Sequence, residues 1–259
     1  MSAIAHRNQQ RRYFRAERRE AVVRTVNEAA YEARRNAILD AAEHAVETKG
    51  YEQMAIADLL GELHISSGAF YHYFDSKPAL LLALVERMGG EIEQLVLPIV
   101  HDPAPGALDK LLRFFTTLDQ WKFAHKRLLL AYLPVWYGDE NAIVRHKLYQ
   151  ARVKRLTPWL EEIIQQGVEE GVFQIPYPDQ TARVVISLLE DVEYATVDLL
   201  LADPLSPEDL LRLERIVIAT ADALERVLGA PQGCLQSATR EGLAQWQATP
   251  SRKKEEAQS

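Results

Sequence analysis

The chain has 259 residues, only 12 of them glycine and 12 proline, and a formal charge of −7 at neutral pH. That length suffices for one or two buried cores, and the net acidity excludes a protein coated in basic surface, so any nucleic-acid contact must rest on a local basic region. The single cysteine, Cys234, excludes an intramolecular disulfide and a cysteine-built zinc cluster and suits a reducing, cytoplasmic setting.

The first stretch, before about residue 34, is a basic extension. Arg7, Arg11, Arg12, Arg15, Arg18, Arg19 and Arg24 stand there against Glu17, Glu20, Glu28 and Glu32. Val22, Val26 and Ala33 keep a helical step, so a helix is expected from about Arg15, with a frayed tip. Two readings stay open: a solvated tail, or an arm that follows DNA phosphates or the minor groove. The first helix proper ends at Gly50, a C-terminal cap after Lys49.

A helix-turn-helix pattern follows. Ile56, Leu59, Leu60 and Leu63 recur at three- and four-residue steps and make one apolar face. His64 stands in the turn. Ser66 can cap a second helix, because its hydroxyl accepts an orphan backbone N–H. Phe70 and Phe74 point inward, which leaves Ser67, Ala69, Tyr71 and His72 on or near the outer face. Two short helices joined by a tight turn, with a small, polar and aromatic outer face, form the pattern that enters a DNA major groove.

These residues resemble the DNA-binding domain of the tetracycline-repressor-like (TetR) family of bacterial regulators. The resemblance runs from about Arg34 to Leu82 through Ile38, Ala41, Ala42, Gly50-Tyr51, Asp58-Leu59, Ile65-Ser66, Gly68-Ala69-Phe70-Tyr71, Tyr73-Phe74, Ser76-Lys77 and Leu80. Three positions depart from the family's pattern: Ala55, a poor cap, His64 in place of glycine, and Ser67 in place of a cation. The resemblance implies DNA contact by Ser66, Ser67, Gly68, Ala69, Tyr71 and His72. It also places Lys77 at the start of the fourth helix, against a phosphate.

Asp75 or Ser76 caps that fourth helix, with Pro78 in its first turn. It is expected to run through Leu81, Val85, Met88 and Ile92 to about Leu97 and to break at Pro98. Beyond lies a second, all-helical domain. Its expected helices hold Leu108 to Leu118, Lys126 to Trp136, Asn141 to about Gly171 with a kink at Pro158, Asp179 to Leu201, and Ser206 to Leu228. A short helix around Thr239 to Trp246 and a polar tail from Pro250 complete the chain. The expected division is a basic extension over 1–33, a DNA-binding domain over 34–82, a ligand-binding and dimerisation domain over 83–230, and a tail over 231–259.

The fold class expected is therefore all-α. The resemblance implies a transcriptional repressor, homodimeric, released from a double-stranded DNA operator by a small apolar or aromatic effector. Trp121, Tyr132, Trp136, Tyr149, Arg152, Trp159, Glu190 and Tyr194 are the candidate effector contacts. A carboxylate at Glu190 facing a cavity favours a cationic effector. Leu188, Val192, Ala195, Leu199, Ile216, Thr220, Ala223 and Val227 are the expected dimer face, a four-helix bundle from the last two long helices. The alternative is a helical interaction protein that keeps the fold without operator specificity.

No cofactor, metal or enzymatic role is expected. His125 and His146 lack matching ligands. Ser66-Ser67-Gly68 is not preceded by the strand a nucleophile elbow requires, and no Gly-rich phosphate loop is present. The longest apolar run, about Ala79 to Val85, is far shorter than the roughly 20 residues that span a membrane.

Overall fold

The computed structural model describes residues 28–138, 142–201, 206–236 and 243. The expected helix from Arg15 to residue 27, the turn at Pro204 and most of the helix expected over 239–246 lie outside the described residues. So does the side chain of Trp136.

The described residues are all-helical. Helix α1 spans 28–49. Ile38, Leu39, Ala42 and Val46 recur on one face and are wholly buried, as a 3.6-residue period requires. The helix ends at Gly50, whose φ of +82° suits a residue without Cβ. Its N–H donates to the Val46 carbonyl at 2.9 Å. Helices α2 (Ile56–Leu63), α3 (Ser67–Tyr71) and α4 (Lys77–Val100) follow. Ser76, not Asp75, caps α4, its hydroxyl accepting the Ala79 N–H at 3.2 Å.

α4 does not break at Pro98 but continues through it to Val100. A proline costs one backbone hydrogen bond there. Val96 and Val100, both fully buried on the second core, hold the last turn in place. Helices α5 (Ala107–Ala124), α6 (Lys126–Tyr137), α7 (Ala142–Glu169), α8 (Pro178–Leu201) and α9 (Pro207–Leu228) complete the fold. α7 likewise passes through Pro158. Ser206 caps α9 in a reciprocal box with Asp209: its hydroxyl accepts the Asp209 N–H at 3.1 Å, and the Asp209 carboxylate accepts the Ser206 N–H at 3.2 Å.

Two apolar cores result. The first gathers α1, α2, α3 and the start of α4 around Leu59, Phe70, Phe74, Leu80 and Leu84. The second gathers the end of α4 with α5, α7, α8 and α9 around Leu111, Phe114, Ile163, Val185 and Leu224. α4 thus enters both. α6 also reaches the first core, where its Leu128 and Tyr132 are buried. Each such buried leucine contributes about 1.5–3 kcal/mol.

The chain beyond α9 is pinned by Glu225, which is 2% exposed. Its carboxylate accepts the Gly233 N–H at 2.7 Å and the Leu235 N–H at 2.8 Å. A buried charge needs such partners.

Candidate nucleic-acid interface

The turn between α2 and α3 is built by three local choices. His64 adopts the left-handed conformation at φ +50°, which histidine tolerates better than most residues. The Ile65 N–H then reaches back to the Leu60 carbonyl at 3.1 Å. Ser66 starts α3, its hydroxyl accepting the Ala69 N–H at 3.2 Å. Ala55 offers α2 no side-chain cap. Asp58 partly compensates through a long 3.5 Å contact with the Ala55 N–H and an ion pair with Lys49 at 3.0 Å. The hydrogen bond from Lys49, followed by that from Ala55, holds the Asp58 carboxyl below its ordinary range.

Orientation of α3 follows from Phe70 and Phe74, both buried, with ring centroids 5.9 Å apart. With that side fixed inward, Ser66, Ser67, Gly68, Tyr71 and His72 are exposed and Ala69 is half-buried. Tyr71 is 49% exposed and packs edge-on to Phe70. Gly68 makes no demand on the chain's own packing, since a Cβ there would meet only the Ser66 hydroxyl at 4.0 Å.

Lys77 is differently employed from the simple phosphate contact that the sequence suggests. Its ammonium donates to the Glu52 carbonyl at 3.2 Å and lies 4.4 Å from the centre of the Tyr51 ring. It therefore ties the loop after α1 to the start of α4. Two of its three donors remain to be satisfied in other directions. Burial, then the nearby Glu52 charge, push the Tyr51 hydroxyl up to about 12.

The sequence reading missed two features here. Tyr31 of α1 stacks against the end of α3, 5.7 Å from His72 and 4.7 Å from Tyr73 between ring centres. Its signal was position: seven residues before Ile38, two helical turns away, it shares that residue's face. Arg87 of α4 reaches Asp40 and Glu43 of α1. Nothing in the spacing of these three residues along the sequence announces that meeting.

The same segment matches a family model described as bacterial regulatory proteins of the tetR family, over residues 38–84. A second model, the tetracyclin repressor-like C-terminal domain, matches residues 137–202. Both segments thus match TetR-family models, one in the DNA-binding unit and one in the C-terminal half. The chain's relatives include an uncharacterized HTH-type transcriptional regulator, YvdT, of Bacillus subtilis, 28% identical over 166 residues, which are 60% of this chain and 77% of that one. The transcriptional repressor NemR of Escherichia coli is 30% identical over 74 residues, 28% of this chain and only 37% of that repressor. Among solved structures, a TetR-family regulator from Pectobacterium atrosepticum superposes with a TM-score of 0.56 at 19% identity, covering 79% of this chain and 98% of that one. The chain thus has the helical fold and the two matched domains of TetR-type DNA-binding transcriptional regulators.

Among the described residues, the expected effector contacts are divided between the two cores and the surface. Tyr132 lies in the first core, not in the second domain, and is 4% exposed. Burial drives its hydroxyl to a higher pKa, and it has no hydrogen-bond partner. Trp159 is packed in the second core. Trp121 stacks on His125 with centroids 4.2 Å apart, and its indole N–H points to Glu91 at 3.4 Å. Tyr149 is half-buried. Tyr194 is 46% exposed, with the Arg145 guanidinium 5.6 Å from its ring centre.

Arg152 does meet Glu190, but as its ion-pair partner, and it also donates to Glu193 at 2.7 Å. The argument for a cationic effector therefore loses its basis, because the Glu190 charge is already matched within the chain. Burial works against the ionised Glu193, yet Arg152 and Lys122 outweigh it and hold its carboxyl below the ordinary range. Two shallow depressions lie elsewhere. One, of about 510 Å³, opens on α9 at Arg215, Ile218 and Asp222. The other, of about 340 Å³, opens between Ile99 of α4 and Thr116 of α5.

The expected dimer face is split. Leu199 is 5% exposed inside the single chain and cannot also face a partner. Leu188 and Val227 pack against the second core. Val192, Ile216, Thr220 and Ala223 are half-buried, and Ala195 is exposed. The outward apolar residues of these helices include Val184, 46% exposed, and Leu211, 63% exposed. The difference is one of rotation: the period gives a face, but two faces of α8 and α9 are apolar, and only packing decides which is inward.

Proposed function

We propose that this TetR-family chain is a homodimeric repressor that reads a near-palindromic operator through α3 and leaves it when a small apolar or aromatic effector occupies the C-terminal half. The observation that carries the reading is the division of α3 and its flanks between two buried phenylalanines and an exposed face of Ser66, Ser67, Gly68, Tyr71 and His72, with Ala69 half-buried among them. On that face a phenol and an imidazole are available to base edges, and small residues allow close approach. Lys77 and the N-terminus of α4 supply the neighbouring phosphate contact. Two copies then engage half-sites about 34–36 Å apart, or moderately more.

Repression rather than activation is supported by the matched segment of NemR, which is named as a repressor. Dimerisation is assigned to the outward faces of α8 and α9, with Ala195, Ile216, Thr220 and Ala223 at their margins. A twofold interface repeats each contact. Effector response is assigned to α6 and α4. Tyr132 is lodged in the first core, while α6 also packs on α7 and α8. Any ligand that binds better with Tyr132 withdrawn shifts the DNA-binding unit, in proportion to its differential affinity for the two states. The basic extension adds phosphate contacts, each steepening the salt dependence by roughly 0.9 log units.

The test is a mobility-shift titration of the full chain against the DNA upstream of its own gene, with random duplex as competitor. A single retarded complex of two chains per duplex, resistant to random competitor, supports the proposal. Equal competition by random DNA supports instead a helical interaction protein without operator specificity.

A further inference from the structure

We propose that Tyr31, seven residues ahead of the matched DNA-binding segment, is a positioning residue that sets the DNA-facing end of α3 through His72. The inference rests on the reading of α3 as the recognition helix. Three observations carry it.

First, α3 has only five residues. A helix that short has no stability of its own, so its direction is imposed by what packs on it. Phe70 and Phe74 fix its inner side. They do not constrain His72, which caps the helix and is exposed. Second, the Tyr31 ring meets His72 edge-to-face, at 5.7 Å and 83°, and lies tilted on Tyr73 at 4.7 Å. His72 and Tyr73 in turn meet edge-to-face at 5.2 Å. The three rings form one cluster that joins the start of α1 to the end of α3. Third, Tyr31 keeps 37% of its surface in solvent, and residues 28–34 around it are exposed. Tyr31 therefore contributes little to the first core. Its contacts are directed at the two residues that end the recognition helix.

An imidazole presented to a groove reads bases only if its ring direction is held. Tyr31 supplies that restraint from outside α3. It acts through His72 and needs no contact of its own with DNA. An edge-to-face pair of this kind is worth about threefold to tenfold in an equilibrium.

The experiment uses an operator duplex selected from a random-sequence pool by the wild-type full chain, with a scrambled duplex of equal length. Anisotropy titrations compare wild type, Tyr31→Ala, Tyr31→Phe, His72→Ala, the Tyr31→Ala/His72→Ala double variant and Tyr71→Ala. The expected result is that Tyr31→Ala weakens operator binding about threefold to tenfold and leaves scrambled-duplex binding and the thermal midpoint unchanged. Phenylalanine restores wild-type affinity, and the double variant binds no more weakly than His72→Ala alone.

Wild-type affinity in Tyr31→Ala overturns the proposal. So do an equal loss on scrambled DNA, a phenylalanine variant as weak as the alanine one, and additive effects in the double variant. Failure of the pool to yield any enriched sequence, or full operator affinity in Tyr71→Ala, removes the recognition-helix reading itself. Tyr31 loses its proposed role with it.

Discussion

Arg87 of α4 forms an ion pair with Glu43 of α1, and its other terminal nitrogen reaches Asp40 at 2.5 Å. Arg87 is the charged tie between the helix that enters both cores and the helix that backs the recognition unit. Its side chain is 20% exposed, that of Glu43 30% and that of Asp40 71%. Solvent therefore screens much of the attraction, and we expect Arg87→Met to cost about 1 kcal/mol. Thermal unfolding at low and high salt checks this: the deficit should shrink as salt rises. Operator affinity should fall severalfold in the same variant, because α1 and α4 frame α3.

Gly68 gives a prediction with opposite signs for stability and function. A methyl group at this position meets nothing closer than 4.0 Å within the chain, and alanine favours a helix over glycine by about 1 kcal/mol. Gly68→Ala should therefore raise the thermal midpoint while weakening operator binding, since the added methyl points to where the DNA backbone approaches. A variant that is more stable and binds equally well would place the DNA away from the start of α3.

Most of the fold was legible because its signals are local. The period of Ile56, Leu59, Leu60 and Leu63, the caps at Ser66 and Ser206, and the turn at His64 each act within a few residues. What was not legible is how helices are rotated against one another. Pro98 reads as a break, but Val96 and Val100 bury the next turn and the helix continues. Tyr132 reads as part of the second domain, yet α6 folds back and lodges it in the first core. Glu190 reads as a candidate effector contact, yet α7 brings Arg152 beside it as an ion-pair partner. At the DNA-facing end, Tyr71 and the small residues of α3 could be named from sequence. The partners of Tyr31 and Arg87 could not, because Tyr31 meets His72 and Tyr73 and Arg87 meets Asp40 and Glu43 only across about 40 or more residues of chain.

The rotation of α8 and α9 is tested by a pair of substitutions. Leu199 is buried within the chain, so Leu199→Ala should cost about 2–5 kcal/mol in unfolding without changing the association state of the folded protein. Ala219 is exposed on α9, so Ala219→Glu should leave the fold intact but set like charges against each other across a twofold axis. Sedimentation equilibrium should then report a monomer for Ala219→Glu alone. An intact dimer would move the interface to another surface.

Asp119 carries a pH dependence. Burial raises its carboxyl above the ordinary range, with Lys122 opposing. The folded state thus prefers the neutral acid. That contribution is fully present below the ordinary carboxylate pKa of about 3.9. It is lost as pH rises through the raised folded value. Asp119→Asn should therefore melt higher than wild type at neutral pH, and the gap should close toward about pH 4. A gap that does not change with pH would assign the effect to packing alone.

The central claim is that α3 reads DNA with Tyr71 facing outward. Tyr71 contributes little to the core, being 49% exposed, so Tyr71→Ala should unfold at the wild-type temperature. The most direct measurement is the affinity of this variant for the selected operator and for random duplex at one salt concentration. The account predicts that the preference for operator falls at least tenfold, by about 1.4 kcal/mol or more, while random-duplex binding stays the same. Unchanged preference in a folded Tyr71→Ala chain would contradict it.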